Sequence, residues 1–158
     1  MYFLPELATI TREESAANLQ TARQNTDGHY FCIRDKTNAY IGGIGYTITQ
    51  STPQGKVVHL GYFLRPEHHG KGYATEAVRK VIAFAFANDG CIRITTACYR
   101  DNQASRRVME KMGFRKENER IKAQCHDGTM KDRLEYAIDK GEENYGRSIE
   151  QSILGQHR

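Results

Sequence analysis

The sequence predicts an α+β (mixed α/β) fold, in which a mostly antiparallel sheet carries one parallel strand pair and flanking helices. Three observations support this. Between residues 29 and 64, β-prone runs follow one another across turns too short for a crossover, which imposes antiparallel pairing. From Ala74 the apolar period lengthens from two to that of a helix. A β-branched run at Ile92 to Cys98 follows that helix, so strand, helix and strand across 56–98 make a parallel crossover.

The elements follow in order. After Pro5 the chain reads as helical. Thr11-Arg12-Glu13-Glu14 has capping-box spacing, Ala16, Leu19 and Arg23 fall at helical intervals, and Asp27-Gly28 stops the run. His29 to Arg34 is a short strand, and Asp35-Lys36-Thr37-Asn38 is a turn. Ala39 to Thr49 is a second strand with glycines at 42, 43 and 45. Such a glycine group marks a bulge or the close approach of another backbone. Ser51 to Gly55 is a turn, and Lys56 to Leu64 a third strand with Leu60, Tyr62 and Leu64 on one face.

Apolar residues at 77, 78, 81, 82, 85 and 86 form one face of a helix that Asn88-Asp89-Gly90 ends. After the strand at Ile92 to Cys98, Asn102 to Met112 is a second helix. Ala104, Val108 and Met112 align on it, and Gly113 follows in the left-handed C′ position. Phe114 to Gln124 and Met130 to Ile138 make a final strand pair joined at His126-Asp127-Gly128. Residues 1–140 are expected to form one domain, and residues 141–158 a polar tail, read as a loose helix.

Composition bounds the function. The 158 residues suit one domain, with 39% apolar and 27% charged side chains, the balance of an ordinary globule. The longest apolar run, Val81 to Ala87, is far too short to span a bilayer. The start lacks a basic n-region and an apolar h-region, so no secretory signal is visible and a cytoplasmic location is expected. A net charge of +4, carried by scattered pairs, argues against nucleic acid and suits a small anionic ligand. Cysteines 32, 91, 98 and 125 fit no metal spacing, and three of them fall in strand-like runs. They are read as small core residues, with no metal expected.

The chemistry concentrates in two strand-to-helix junctions. The first is Leu64-Arg65-Pro66-Glu67-His68-His69-Gly70-Lys71-Gly72-Tyr73-Ala74-Thr75-Glu76. Glycines let backbone approach a ligand, and the first N–H groups of a helix have no internal partner. With the helix dipole and Lys71 at its mouth, this junction suits a pyrophosphate. A plain left-handed turn explains the glycines equally well on the loop alone. The segment is not a P-loop, and it misses the third glycine of a dinucleotide fingerprint. In the second junction, Asp101 to Phe114, Asn102 is a candidate N-cap and Ser105 lies one turn in. If both strands are parallel, Ser105 falls near the same sheet end as the glycine loop.

Together these segments resemble the GNAT superfamily of N-acetyltransferases, most closely the branch of ribosomal-protein-alanine N-acetyltransferases that acetylates ribosomal-protein N-termini. The family's Gln/Arg-x-x-Gly-x-Gly/Ala motif appears as His69-Gly70-Lys71-Gly72-Tyr73-Ala74. Further echoes are Gly61-Tyr62-Phe63-Leu64, Ala74-Thr75-Glu76-Ala77, Asn102-Gln103-Ala104-Ser105, Glu110-Lys111-Met112-Gly113-Phe114, and Asp127-Gly128 with Asp132. The resemblance covers roughly residues 30 to 138. It implies a single acetyltransferase domain whose sheet splays at the parallel pair, with acetyl-CoA as cosubstrate.

By resemblance, the N–H groups of His69, Gly70, Lys71, Gly72, Tyr73 and Ala74 hold the pyrophosphate. Phe63, Leu64 and Arg65 lie along the pantetheine arm, which adds to the strand edge. A bulge opens a gap between the strands, where a backbone N–H polarises the acetyl carbonyl. Asn102 bonds the pantetheine or fixes the second helix, and Ser105 is the candidate acid for the leaving thiolate. The implied reaction is direct transfer to a primary amine, either a protein N-terminal α-amine or a small amine.

Where relatives can carry a glutamate base, this chain has Gln124, which cannot take a proton. His126 and His59 are the candidate substitutes. The family's first strand is barely accommodated by Met1 to Leu4, so the acceptor site is expected to be more open or completed by a second copy in a homodimer. A catalytically silent acyl-CoA-binding module is the alternative from another class. A nucleotide-binding enzyme that uses the glycine loop is a third reading.

Overall fold

The computed structural model describes residues 27–125 and 127–143. The expected first helix, the short N-terminal strand, His126 and most of the polar tail lie outside these residues. Among the described residues six strands form one sheet: β1 (Gly28–Arg34), β2 (Tyr40–Thr52), β3 (Gly55–Leu64), β4 (Cys91–Tyr99), β5 (Arg115–Gln124) and β6 (Met130–Asp139). Two helices interrupt them, α1 (Tyr73–Asn88) and α2 (Gln103–Met112). The spatial order is β1-β2-β3-β4-β6-β5. Every neighbouring pair is antiparallel except β3 and β4, as the crossover through α1 requires.

One sheet face and the two helices share the core. Ile44 and Tyr46 of β2, Val58 and Leu60 of β3, Ile94 and Cys98 of β4 and Leu134 and Ile138 of β6 pack against Val78, Val81, Ile82, Ala85 and Phe86 of α1. Each large aliphatic side chain buried here is worth about 1.5–3 kcal/mol. The C-terminal end of α1 is tied to the sheet by Asp89. Its carboxylate accepts from the Tyr46 hydroxyl and from Lys56 Nζ, both at 3.2 Å. Those donors offset the cost of an acid at the negative end of a helix.

The glycines of β2 mark a close approach. A Cβ on Gly42 would stand 2.3 Å from the Phe63 carbonyl oxygen, and one on Gly43 would stand 2.9 Å from the Phe63 ring. The irregularity in β2 lies elsewhere, at Ile48/Gln50.

Two expectations are corrected. α2 buries Ser105, Met109 and Met112 and packs Val108 against the core, so of the expected Ala104, Val108, Met112 row Ala104 alone is exposed. The helix is turned by about one residue because Met109 offers far more apolar surface than Ala104 and because Ser105 finds a partner on the sheet. Among the cysteines, Cys91 and Cys98 are buried as expected, but Cys32 is exposed, because β1 is an edge strand.

Candidate active site

The site begins where two strands part. Parallel pairing of β3 with β4 covers Lys56↔Cys91, Val57↔Arg93, Val58↔Ile94 and His59↔Thr95. Past that point β3 continues to Leu64 against β2 alone, while β4 continues to Tyr99 against β6. The register shift in the parallel pair lies at Lys56/Val57, below the opening, so the bulge expected at the gap is not what opens it. Two threonine hydroxyls cross from β4 at the fork. Thr95 donates to the Val58 carbonyl at 3.3 Å and Thr96 to the Leu60 carbonyl at 2.9 Å.

Strand alternation decides which backbone groups face the gap. Arg65 N–H bonds the Ile41 carbonyl of β2 at 2.9 Å, so the odd-numbered residues Gly61, Phe63 and Arg65 direct their backbone toward β2. The even-numbered residues Leu60, Tyr62 and Leu64 direct theirs toward β4. Of the three residues expected along the cofactor arm, only Leu64 thus turns its own N–H and carbonyl to the gap. Its neighbour on that side is Tyr62. The Phe63 side chain instead covers the glycine surface of β2.

The glycine loop follows directly. Pro66–His68 form one 3-10 turn, and the His69 ring folds back to donate from Nε2 to the Leu64 carbonyl at 2.9 Å. His68 meets Tyr73 edge-on, with ring centroids 6.2 Å apart. Gly70 and Gly72 have φ of +72° and +83°, and a Cβ at either would meet nothing within 4 Å among the described residues. These glycines therefore serve conformation and an open surface, not internal packing.

Gly72 is the N-cap of α1, and no described side chain caps that helix. The N–H groups of Gly70 to Thr75 make no hydrogen bond among the described residues, whereas Glu76 N–H closes on the Gly72 carbonyl at 3.1 Å. Lys71 is exposed at the rim, and Arg65 is engaged by Glu67 at 3.1 Å. A run of donors that no described residue engages, at the positive end of a 16-residue helix, fits a diphosphate.

α2 brings the second junction to the same end of the sheet. Asn102 caps it, with Oδ1 accepting the Ser105 N–H at 3.1 Å. Ser105 is 5% exposed, and its hydroxyl lies 3.1 Å from the Tyr62 hydroxyl. Burial pushes the Tyr62 phenol above its ordinary pKa. Burial also pushes the Cys98 thiol up to about 11, so Cys98 is not a nucleophile at neutral pH.

His59 stands at the fork on the opposite sheet face. Its Nδ1 is 2.9 Å from the Thr95 hydroxyl, and burial, aided by the Arg133 charge, lowers its pKa to about 4. With Arg133, Glu135, Glu117 and Asn118 it lines a cavity of about 270 Å³. Gln124 is exposed at the end of β5, opposite Met130. Among the described residues no cluster of His, Cys, Asp and Glu could hold a metal.

Because β3 and β4 run parallel, the glycine loop and the junction that carries Asn102 and Ser105 lie at the same end of the sheet, as the sequence predicts. The contacts that Tyr62 makes with Ser105 and Thr96 with Leu60 were not expected. Tyr62 carried a signal, since it shares strand parity with Leu64. Thr96 carried none, because its partner is a carbonyl on a strand 36 residues away.

Residues 1–115 match the family model for the acetyltransferase (GNAT) domain. The chain is 35% identical over 110 residues to the uncharacterized N-acetyltransferase YoaA of Bacillus subtilis, a match that covers 70% of this chain and 61% of YoaA. It spans roughly half the length of other curated relatives it matches. The ribosomal-protein-S5-alanine acetyltransferase from Vibrio fischeri superposes with a TM-score of 0.71 at 26% identity, over 84% of this chain and 72% of that one. The spermidine N-acetyltransferase from Vibrio cholerae, solved with CoA and spermine, superposes with a TM-score of 0.74 over 84% of this chain and 78% of that one. At 16% identity, that likeness is one of fold.

Proposed function

The chain belongs to the acetyltransferase (GNAT) domain family, and from that premise we propose that it moves an acetyl group from acetyl-CoA directly to a primary amine within a ternary complex. One observation carries the reading. A helix N-terminus that no described side chain caps, fronted by two glycines, lies at the same sheet end as a parallel strand pair that stops pairing at His59↔Thr95. The first feature fits a diphosphate. The second offers a strand edge to an extended arm.

In this reading the N–H groups of Gly70 to Ala74 hold the diphosphate, whereas the His69 N–H, expected to join them, is spent on the Pro66 carbonyl at 3.1 Å; Leu64 and Tyr62 line the arm, flanked by Phe63 and Arg65. Asn102 has spent its carbonyl oxygen on Ser105, so its amide N–H groups would do any bonding to the arm. The coenzyme would supply the acyl group as a thioester. The Tyr62 N–H would polarise the acyl carbonyl, and Ser105 would donate a hydrogen bond to the departing sulfur. The amine must be neutral to attack. His59, with a pKa of about 4, is a poor match for an ammonium proton. His126, outside the described residues, is the base we propose, to be checked by the pH–rate profile of His126→Ala. The acceptor is a protein N-terminal amine, as the name of the Vibrio fischeri relative suggests, or a small amine.

Titration calorimetry with acetyl-CoA tests the cofactor assignment. Wild type should bind. Gly72→Ala should bind at least about tenfold more weakly while losing only about 1–2 kcal/mol of stability from its left-handed φ. Absence of heat with wild type overturns the reading.

A second reading is a module that binds acyl-CoA without turnover. It is favoured by the amide at Gln124 and the low pKa of His59. Release of free thiol in the presence of peptides, polyamines or amino acids separates the two, because only the enzyme produces it.

A further inference from the structure

Resting on the acetyl-transfer reading, we propose that Tyr62 is a positioning residue, which fixes the direction in which Ser105 offers its hydrogen to the leaving group. The two hydroxyls lie 3.1 Å apart, and both residues are buried, Tyr62 at 8% and Ser105 at 5% exposure. Bulk water therefore does not compete for the bond. Either hydroxyl could donate at this distance, and the phenol, the more acidic of the two, is assigned that role with Ser105 as acceptor.

That assignment matters because a serine that donated to Tyr62 would have spent its one hydrogen there. With one lone pair of Ser105 Oγ filled from Tyr62, the Ser105 hydrogen is not spent on that bond and stays available to the leaving group. The same residue turns its backbone N–H toward the gap between β3 and β4. A single side chain thereby couples the strand that polarises the acyl carbonyl to the helix that meets the sulfur.

The chemistry balances without ionising either hydroxyl. The amine lone pair forms the new C–N bond, the C–S bond breaks, and its electron pair goes to sulfur. The Ser105 O–H stabilises that charge by hydrogen bonding. The proton lost by the amine is the one that finally neutralises the thiolate.

Tyr62→Phe keeps the buried ring and deletes only Oη. We expect kcat to fall about tenfold, the worth of one buried hydrogen bond, with KM for acetyl-CoA unchanged within about twofold. The double variant Tyr62→Phe/Ser105→Ala should be no slower than Ser105→Ala alone, as required when one residue acts through the other. Site-specific fluorotyrosines at 62, which preserve packing, should make kcat follow the acidity of the phenol.

Full kcat in Tyr62→Phe overturns the inference. So do losses that multiply in the double variant, a flat fluorotyrosine series, or a Ser105→Ala variant as fast as wild type. Failure of wild type itself to release thiol from acetyl-CoA with any amine overturns the acetyl-transfer reading, and this inference with it. An active wild type with an unaffected Tyr62→Phe overturns the inference alone.

Discussion

At the scale of the residue, burial decides what a titratable side chain can do. His59 shows this most directly. An exposed imidazole would be a serviceable base near neutral pH, but desolvation at the fork lowers the His59 pKa from 6.5 to about 4. The shift has a stability consequence of definite sign. Above about pH 6.5 the imidazole is neutral in both folded and unfolded chains. Below it the unfolded chain takes up a proton that the native state refuses until about pH 4. Stability is therefore lost as pH falls through that window, by at most about 1.4 kcal/mol per pH unit for this one proton. Thermal melts from pH 7 to pH 4 should show this slope, and His59→Gln should flatten it. An equal slope in both proteins would mean that His59 is not protected by burial.

At the scale of the element, the two helices that meet the site begin in opposite ways. α2 is closed by its own sequence. Asn102 Oδ1 satisfies the Ser105 N–H, and Gly113 ends the helix at φ +95° with its N–H on the Glu110 carbonyl. α1 starts at a glycine, and among the described residues no side chain caps it, so its first donors point outward. The contrast separates structural from ligand roles at Asn102. Asn102→Ala should cost about 1 kcal/mol of stability. Asn102→Asp retains an acceptor oxygen and should restore the melting temperature. If the amide N–H groups bond the coenzyme arm, KM for acetyl-CoA stays raised in Asn102→Asp. A wild-type KM in that variant limits Asn102 to its capping role.

At the scale of the whole molecule, the sheet works as two wings joined at a short parallel seam. The β1-β2-β3 wing and the β4-β6-β5 wing share only four register pairs. The seam ends where Thr96, 4% exposed, bonds the Leu60 carbonyl. Thr96→Val keeps the shape but leaves that buried carbonyl without its partner, which should cost about 1–3 kcal/mol. Denaturant unfolding checks the value. If the fork depends on this bond, amides of residues 60 to 64 should also exchange faster in the variant. Undiminished stability would mean that the seam is held by backbone pairing alone.

Much of this was legible in local sequence, because its causes are local. Turn chemistry at 35–38, the period change at Ala74, the helix stops at Gly90 and Gly113 and the N-cap at Asn102 each act within a few residues, so the order of elements and the crossover could be read directly. The glycine loop was legible for the same reason, since a left-handed φ before a helix is a local demand. Three things depended on tertiary structure. The rotation of α2 that buries Ser105 instead of Ala104 follows from competition among side chains for one sheet face. The low pKa of His59 follows from the atoms packed around it. The opening between β3 and β4 follows from each strand keeping a different neighbour. All three join groups distant in the chain, and desolvation and packing are summed over space, where a sequence pattern has no reach.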